Sequence, residues 1–295
     1  MIGEANMLPI AKILLPVDFS ERACHAAPFA ILFAEHFQSE IVLAHVLPPH
    51  YDITMAEMGS GMLDDLLAQR RERAERSTRE FLGRELAHLR VRRLLLEGDP
   101  AREIVACARG EQANLIMMPT HGYGPFRRML LGSVTAKVLH DADCPVWTAT
   151  HMESAHAGSA ALRHILCAID LKPGSAGAIE WSVRVAAEFG AKLTLVHSLV
   201  ELDPRTEEYH YSPEWRQFLI DAAQREIAAL QKEAGTSAEV RLTLGPADKA
   251  VCEDARAAQA DLLVIGRGLE AGVLGRLTSD AYAIIRQSPC PVVSV

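Results

Sequence analysis

Read from its N-terminus, the chain alternates between short, continuous apolar runs and longer amphipathic segments. The short runs fall near residues 11–17, 40–46, 91–96, 114–118 and 145–149. Unbroken apolar character over such lengths predicts strands buried on both faces, as in a parallel sheet. The segments between them predict helices. Ser20 is placed to cap the first of these, and Asp99-Pro100 supplies a cap followed by proline in the opening turn of the third. Residues 62–89, rich in Arg and Glu at helical spacing, predict a solvated helix whose charges pair across its turns.

The whole pattern occurs twice. Ile13-Leu14-Leu15-Pro16-Val17-Asp18 returns as Ile165-Leu166-Cys167-Ala168-Ile169-Asp170, and Leu43-Ala44-His45 as Leu195-Val196-His197, both 152 positions later. Ala113-Asn114-Leu115 returns as Ala260-Asp261-Leu262 after 147 positions, and Cys144-Pro145-Val146 as Cys290-Pro291-Val292 after 146. Landmarks in the same order, with small length losses between them, are the mark of a duplicated unit. The expected organisation is a domain over residues 1–150, a small polar linker over 151–161, and a second domain over 162–295. Each copy predicts an α/β, doubly wound domain with a five-stranded parallel sheet and four helices.

Composition narrows the class. The 295 residues are 49% hydrophobic and 23% charged, values of an ordinary globular protein of about two domains. The net charge of −8 provides no global positive field, which argues against a nucleic-acid or anionic-membrane binder. No apolar run approaches the roughly 20 residues that span a bilayer, and the first residues lack the pattern of a secretory signal, so the chain reads as cytoplasmic. Six scattered cysteines, without a CxxC pair or a Cys/His cluster, give no support to a metal or redox site, and most are expected to be small core residues.

In open parallel sheets, ligands bind beyond the carboxyl ends of the strands, where strand order reverses. Asp18 closes the first strand, and a loop from Pro119 through Gly122 and Gly124 to Gly132-Ser133 links the fourth strand to a helix. Glycines let backbone N–H groups approach a phosphate, and a helix start offers free donors with a positive dipole end. The same glycines serve equally to shape a turn and ease packing, and both readings are open from spacing alone. His45 and His197 end matching strands and are expected to be packed, hydrogen-bonded side chains. No Walker GxxxxGK[ST] segment, HxGH signature or serine nucleophile elbow is present, and no paired carboxylates with a base nearby, so no catalytic residue is nominated.

At these residues the sequence resembles the universal stress protein family, across nearly the whole chain. The family pattern is Gly, two residues, Gly, nine residues, then Gly and Ser or Thr, with an Asp closing the first strand and a final Cys-Pro-Val strand. Gly122, Gly132-Ser133, Asp18 and Cys144-Pro145-Val146 match, while Pro119 stands at the first glycine. Proline has no N–H to donate there. The resemblance implies a Rossmann-like, adenine nucleotide alpha hydrolase-like fold that binds ATP or another adenine nucleotide, with Mg²⁺ arriving only on the nucleotide. Carried onto matching positions, it puts Pro16 and Asp18 beside the nucleoside and the Val46 backbone on adenine. Met118 and Gly122 would line ribose and phosphate, with Gly132, Ser133 and Val134 on the phosphates.

The second copy departs further. Asp170 persists, but Gly266 and Gly268 are one residue too close together and Thr278-Ser279 replaces the Gly-Ser pair, which reads as a degenerate site. Two functions are weighed. One is a stress-response protein that signals or protects through adenine nucleotide bound in its first domain, with slow hydrolysis at most. The other is a scaffold whose tandem domains serve dimerisation without nucleotide. The resemblance also implies self-association through the final strands, 145–149 and 291–295. If so, halves cleaved in the linker remain associated on size exclusion at micromolar concentration, and replacing Val292 and Val293 by Lys separates them. Unsubstituted halves that elute apart overturn the pairing.

Overall fold

The computed structural model describes residues 10–49, 60–120, 131–149, 161–199, 213–268 and 278–295. Two compact units emerge, with bodies Pro9–Val146 and Ala161–Val295. In the first copy, β1 (Lys12–Pro16), β2 (Glu40–Leu47), β3 (Arg90–Glu97), β4 (Leu115–Pro119) and β5 (Val146–Ala149) alternate with α1 (Glu21–Phe37), α2 (Ser60–Glu80), α3 (Pro100–Gly110) and α4 (Ser133–Asp141). The second repeats this as β6 (His164–Ala168), α5 (Gly174–Phe189), β7 (Lys192–Leu199), α6 (Pro213–Glu233), β8 (Glu239–Leu244), α7 (Ala247–Ala257), β9 (Leu262–Ile265), α8 (Ser279–Gln287) and β10 (Val292–Ser294). The expected doubly wound α/β architecture, used twice, is the architecture found.

Strand order in the first copy is β3-β2-β1-β4-β5 and in the second β10-β9-β6-β7-β8, the same order read from the other side. Ile13, Leu14 and Leu15 of β1 are fully buried, as are Ile41 to Ala44 of β2 and Leu115 to Met117 of β4. That is the burial a strand covered by helices on both faces requires. Register is pinned at the amino ends by one repeated device. The Asn114 carboxamide oxygen accepts from the Lys12 backbone N–H at 2.9 Å, and at the matching place Asp261 accepts from Arg163 and His164 at 2.8 and 2.9 Å.

The caps expected from sequence are formed. Ser20 Oγ accepts from the Ala23 N–H at 3.3 Å and Asp99 from Arg102 N–H at 3.1 Å, each satisfying one of the donors a helix start leaves open. Charges do pair across turns of α2, in Arg71–Glu75 and Arg76–Glu72. That helix nevertheless stops at Glu80 instead of running to 89. Leu82 takes a left-handed φ of 52°, and the turn that follows buries both Leu82 and Leu86. Arg93, reaching across from β3, donates to the carbonyls of Thr78 and Phe81 at 2.8 and 2.7 Å and so closes the end of α2. The cysteines also differ from expectation. Only Cys167 and Cys252 are buried, and Cys24 is exposed, because the inward stripe of α1 is taken by Ala23, Ala26, Ala27 and Ala30.

Arg93→Met keeps the length of the side chain but removes two charge-assisted hydrogen bonds. It should lower the stability of the first unit by roughly 1.5–3 kcal/mol, read as a shifted urea midpoint for loss of helical signal; an unchanged midpoint would show that the α2 terminus needs no cap.

Candidate functional site

Because β2 and β3 lie on one side of β1 and β4 and β5 on the other, the chain leaving β1 and the chain leaving β4 part at their carboxyl ends. A cavity of about 320 Å³ opens there, at the small end of the roughly 300–1,000 Å³ usual for small-molecule sites. It is walled by Pro16 to Asp18 after β1, Ala44 to Val46 and Pro48 on β2 and beyond, Met118 and Pro119 on β4, and Gly132 to Thr135 at the start of α4. Pro100 and Ile104 of α3 complete it.

Three sets of unpaired polar groups meet in this cavity. β1 ends at Pro16, opposite Ala44, and the last bond across that edge is Val17 N–H to Ala44 carbonyl at 2.8 Å. In a parallel strand alternate residues turn their backbone groups to the same side, so the N–H and C=O of Val46 face the β1 side where no strand remains. Asp18 forms the second set. Its Oδ1 accepts from the Ser20 N–H at 3.0 Å and from Ser20 Oγ at 2.5 Å, and among the described residues Oδ2 has no partner. The third is the start of α4, where Gly132 makes no side-chain cap and, among the described residues, nothing caps the first-turn N–H groups. Gly132 has φ −61°, a conformation any residue adopts, so its value here is the space its missing side chain leaves. The end of β4 and the start of α4 are tied together by Gly132 N–H to Thr120 carbonyl at 2.8 Å and Thr135 Oγ1 to Pro119 carbonyl at 3.1 Å.

His45 lines the same cavity. Its Nδ1 donates to the Val17 carbonyl at 2.8 Å, and the Phe19 ring lies 4.2 Å from the imidazole, centre to centre. Burial pushes its proton affinity below the ordinary histidine value. The bond to Val17 and the Asp18 charge act the other way, and Arg70 adds to the lowering. At neutral pH this lowering favours the uncharged ring, and the bond to the Val17 carbonyl places its proton on Nδ1.

In the second copy two of the three corresponding sets, at Asp170 and at the start of α8, are engaged by the chain itself. Asp170 Oδ1 accepts from Lys172 N–H at 3.0 Å and Ser175 Oγ at 3.1 Å, while the Lys172 ammonium stands 3.5 Å from Oδ2. Thr278 caps α8 by accepting from Ala281 N–H at 3.3 Å, and Asp280 adds a negative charge in the first turn, where an anion would have to come. Two backbone segments also close together. A Cβ on Gly174 would stand 2.4 Å from the Arg267 carbonyl oxygen, and one on Gly266 2.8 Å from that of Gly174. His197 keeps the bond of its counterpart, donating from Nδ1 to the Ile169 carbonyl at 2.9 Å.

Of the residues singled out from sequence, Pro16, Asp18, Val46, Met118, Gly132, Ser133 and Val134 all border the one cavity. Gly122 lies outside the described residues. Asp170, Gly266, Gly268 and Ser279 lie after β6, after β9 and at the start of α8, the matching ridge of the second copy. Sequence reasoning missed Pro100, Ile104 and Thr135. Asp99-Pro100 was the available signal, since a helix starting directly after β3 must begin at this same ridge. Among the described residues no group of His, Cys, Asp and Glu is arranged to hold a metal ion, and no helix is long and apolar enough to cross a membrane.

The fold and this ridge define a tandem α/β protein whose first unit has a crevice at the carboxyl ends of its strands. The universal stress protein family model matches residues 9–149 and again 161–295, and the chain belongs to that family. A universal stress protein of Methanocaldococcus jannaschii is 33% identical over 136 residues, 46% of this chain and 79% of that protein. One from Mycolicibacterium smegmatis aligns over 292 residues at 25% identity, covering 96% of each chain. The crystal structure of an Archaeoglobus fulgidus universal stress protein shares the fold at a TM-score of 0.66 and 22% identity, with 98% of this chain and 97% of that one covered.

A histidine kept neutral in the folded state makes stability fall as acid is added. The contribution is complete above the unfolded value near 6.5 and is lost as pH drops from there toward the depressed folded value. His45→Asn retains an N–H donor for Val17 and cannot charge, so its stability should vary less between pH 7 and roughly pH 5 than that of the wild type. Parallel pH curves for the two proteins would exclude His45 as the group responsible.

Proposed function

We propose that the first unit binds an adenine nucleotide, ATP in its Mg²⁺ form, and that the chain is a cytoplasmic stress-response protein in which occupancy of this one site is the signal. The observation that carries the reading is the convergence of open groups of complementary kinds on one cavity, with the Asp18 and α4 positions engaged by the chain's own groups in the second copy. Val46 offers one donor and one acceptor side by side, the pair that the edge of an adenine ring requires. Asp18 Oδ2 is an acceptor for a ribose hydroxyl or for the cation that the phosphates carry. The open N–H groups at the start of α4 and the Ser133 hydroxyl suit a phosphate. Mg²⁺ on the nucleotide supplies charge neutralisation that the cavity wall, whose one charged residue among those described is Asp18, does not provide.

No turnover is part of this reading. Asp18 Oδ2 and His45 Nε2 enter it as hydrogen-bond acceptors for the ligand, their partner atoms being held by Ser20 and Val17, and no proton transfer is assigned to either. The scaffold reading is favoured for the second unit alone, where Lys172, Thr278 and the abutting Gly174 and Arg267 backbones fill the ridge.

Mass spectrometry of the chain purified without added nucleotide, followed by calorimetric titration with Mg-ATP, tests the proposal. One nucleotide per chain is expected. Gly132→Val should remove that binding with the thermal transition unchanged, because φ at this position suits valine while the branched side chain takes the space a phosphate needs. Two nucleotides per chain, or undiminished affinity in the folded variant, overturns the assignment.

A further inference from the structure

The inward stripe of α2 carries an arginine that solvation does not explain. Arg70 is half-buried and lies one turn before buried Ala74 and two before buried Thr78, on the face that packs inward. The eleventh position of the matching 21-residue helix, α6, is Ala223, which is buried. The unit with the open cavity thus has a guanidinium where the closed unit has a methyl group. Among the described residues Arg70 makes no ion pair. Its one hydrogen bond runs from Nη2 to the Pro48 carbonyl at 2.8 Å, and Pro48 is a wall of the cavity, two residues beyond Val46.

Position separates this group from the phosphate end. The open start of α4 follows β4, whereas Pro48 follows β2, and β1 lies between those strands. At a strand spacing of about 4.8 Å, the two ends of the cavity are roughly 9–10 Å apart. The guanidinium therefore lies at the end where the Val46 edge would meet a base. A planar guanidinium stacks on aromatic faces and is attracted to them as a cation. The bond to Pro48 holds it in place beforehand, so little side-chain freedom is lost on binding.

We propose that Arg70 is a base-binding residue of this site, its guanidinium lying against the face of the purine base while Pro48 holds it at the rim. The inference rests on the nucleotide reading of the first unit and adds the residue that grips the base from the α2 side.

Arg70→Gln on the full chain tests it, with ATP titrated by calorimetry, adenosine by NMR up to millimolar concentration, and circular dichroism as the check on folding. Glutamine at a half-buried helix position preserves the helix. The expected result is a loss of roughly five- to thirtyfold in affinity for adenosine and for ATP alike. A loss for ATP with adenosine unaffected would mean that the guanidinium serves the phosphates, and it overturns the proposal. Unchanged affinity for both overturns it too, as does wild-type chain that binds ATP yet shows no adenosine binding. A wild-type chain that binds no nucleotide at all marks instead the failure of the functional reading beneath it.

Discussion

Every polar group at the carboxyl ridge of a parallel sheet needs a partner once the strands have ended, and at the point where β1 and β4 diverge no neighbouring strand supplies one. A buried donor or acceptor left without one costs on the order of 1–3 kcal/mol. The two copies meet that constraint differently on one scaffold. In the first, the Val46 edge, Asp18 Oδ2 and the start of α4 are left to whatever enters the cavity. In the second, Lys172 and Ser175 attend to Asp170, and Thr278 bonds to its own helix. Binding capacity and self-sufficiency are alternative solutions to the same accounting.

Because the copies share a fold, each acts as a control for the other. Phe19 holds φ 61° and Leu171, at the same place in the second copy, φ 60°. A left-handed non-glycine residue invites a functional reading, yet here it persists where the ridge is closed. The strain therefore belongs to the turn that redirects the chain from strand to helix. The imidazole-to-carbonyl bond is likewise present in both copies, at His45 and at His197. What differs is the Phe19 ring lying against His45, and Arg70 where α6 has alanine. Features confined to the open copy are the ones that bear on a ligand.

The fold was legible because its signals are local or repeated. Buried parallel strands must be apolar throughout, caps must sit at helix starts, and a duplicated chain confirms each landmark with a second. The wall of the cavity was largely legible through Asp18, Val46, Met118 and Gly132-Ser133. What escaped depends on contacts distant in sequence. Nothing in residues 62–89 says that Leu82 and Leu86 will turn inward, or that Arg93 on β3 will take up the carbonyls that end α2. Arg70 looks, in a run of arginines, like any solvated charge. Only the burial of Ala74 and Thr78 on the same stripe shows which way it faces.

Pro119 brings these strands of reasoning together. As a replacement for a phosphate-binding glycine it removes a donor, and from sequence it counts against an open site. The tie between β4 and α4, however, uses the carbonyls of Pro119 and Thr120 as acceptors, so the absent N–H takes nothing from that tie. The second copy keeps glycine at this position and spends it on closure: Gly266 packs against the Gly174 backbone, leaving less space than a Cβ requires. A pyrrolidine ring at 119 cannot be approached that closely by the start of α1. The residue that departs from the family pattern thus bars the collapse seen in the other copy, and it stands as a wall of the cavity that remains.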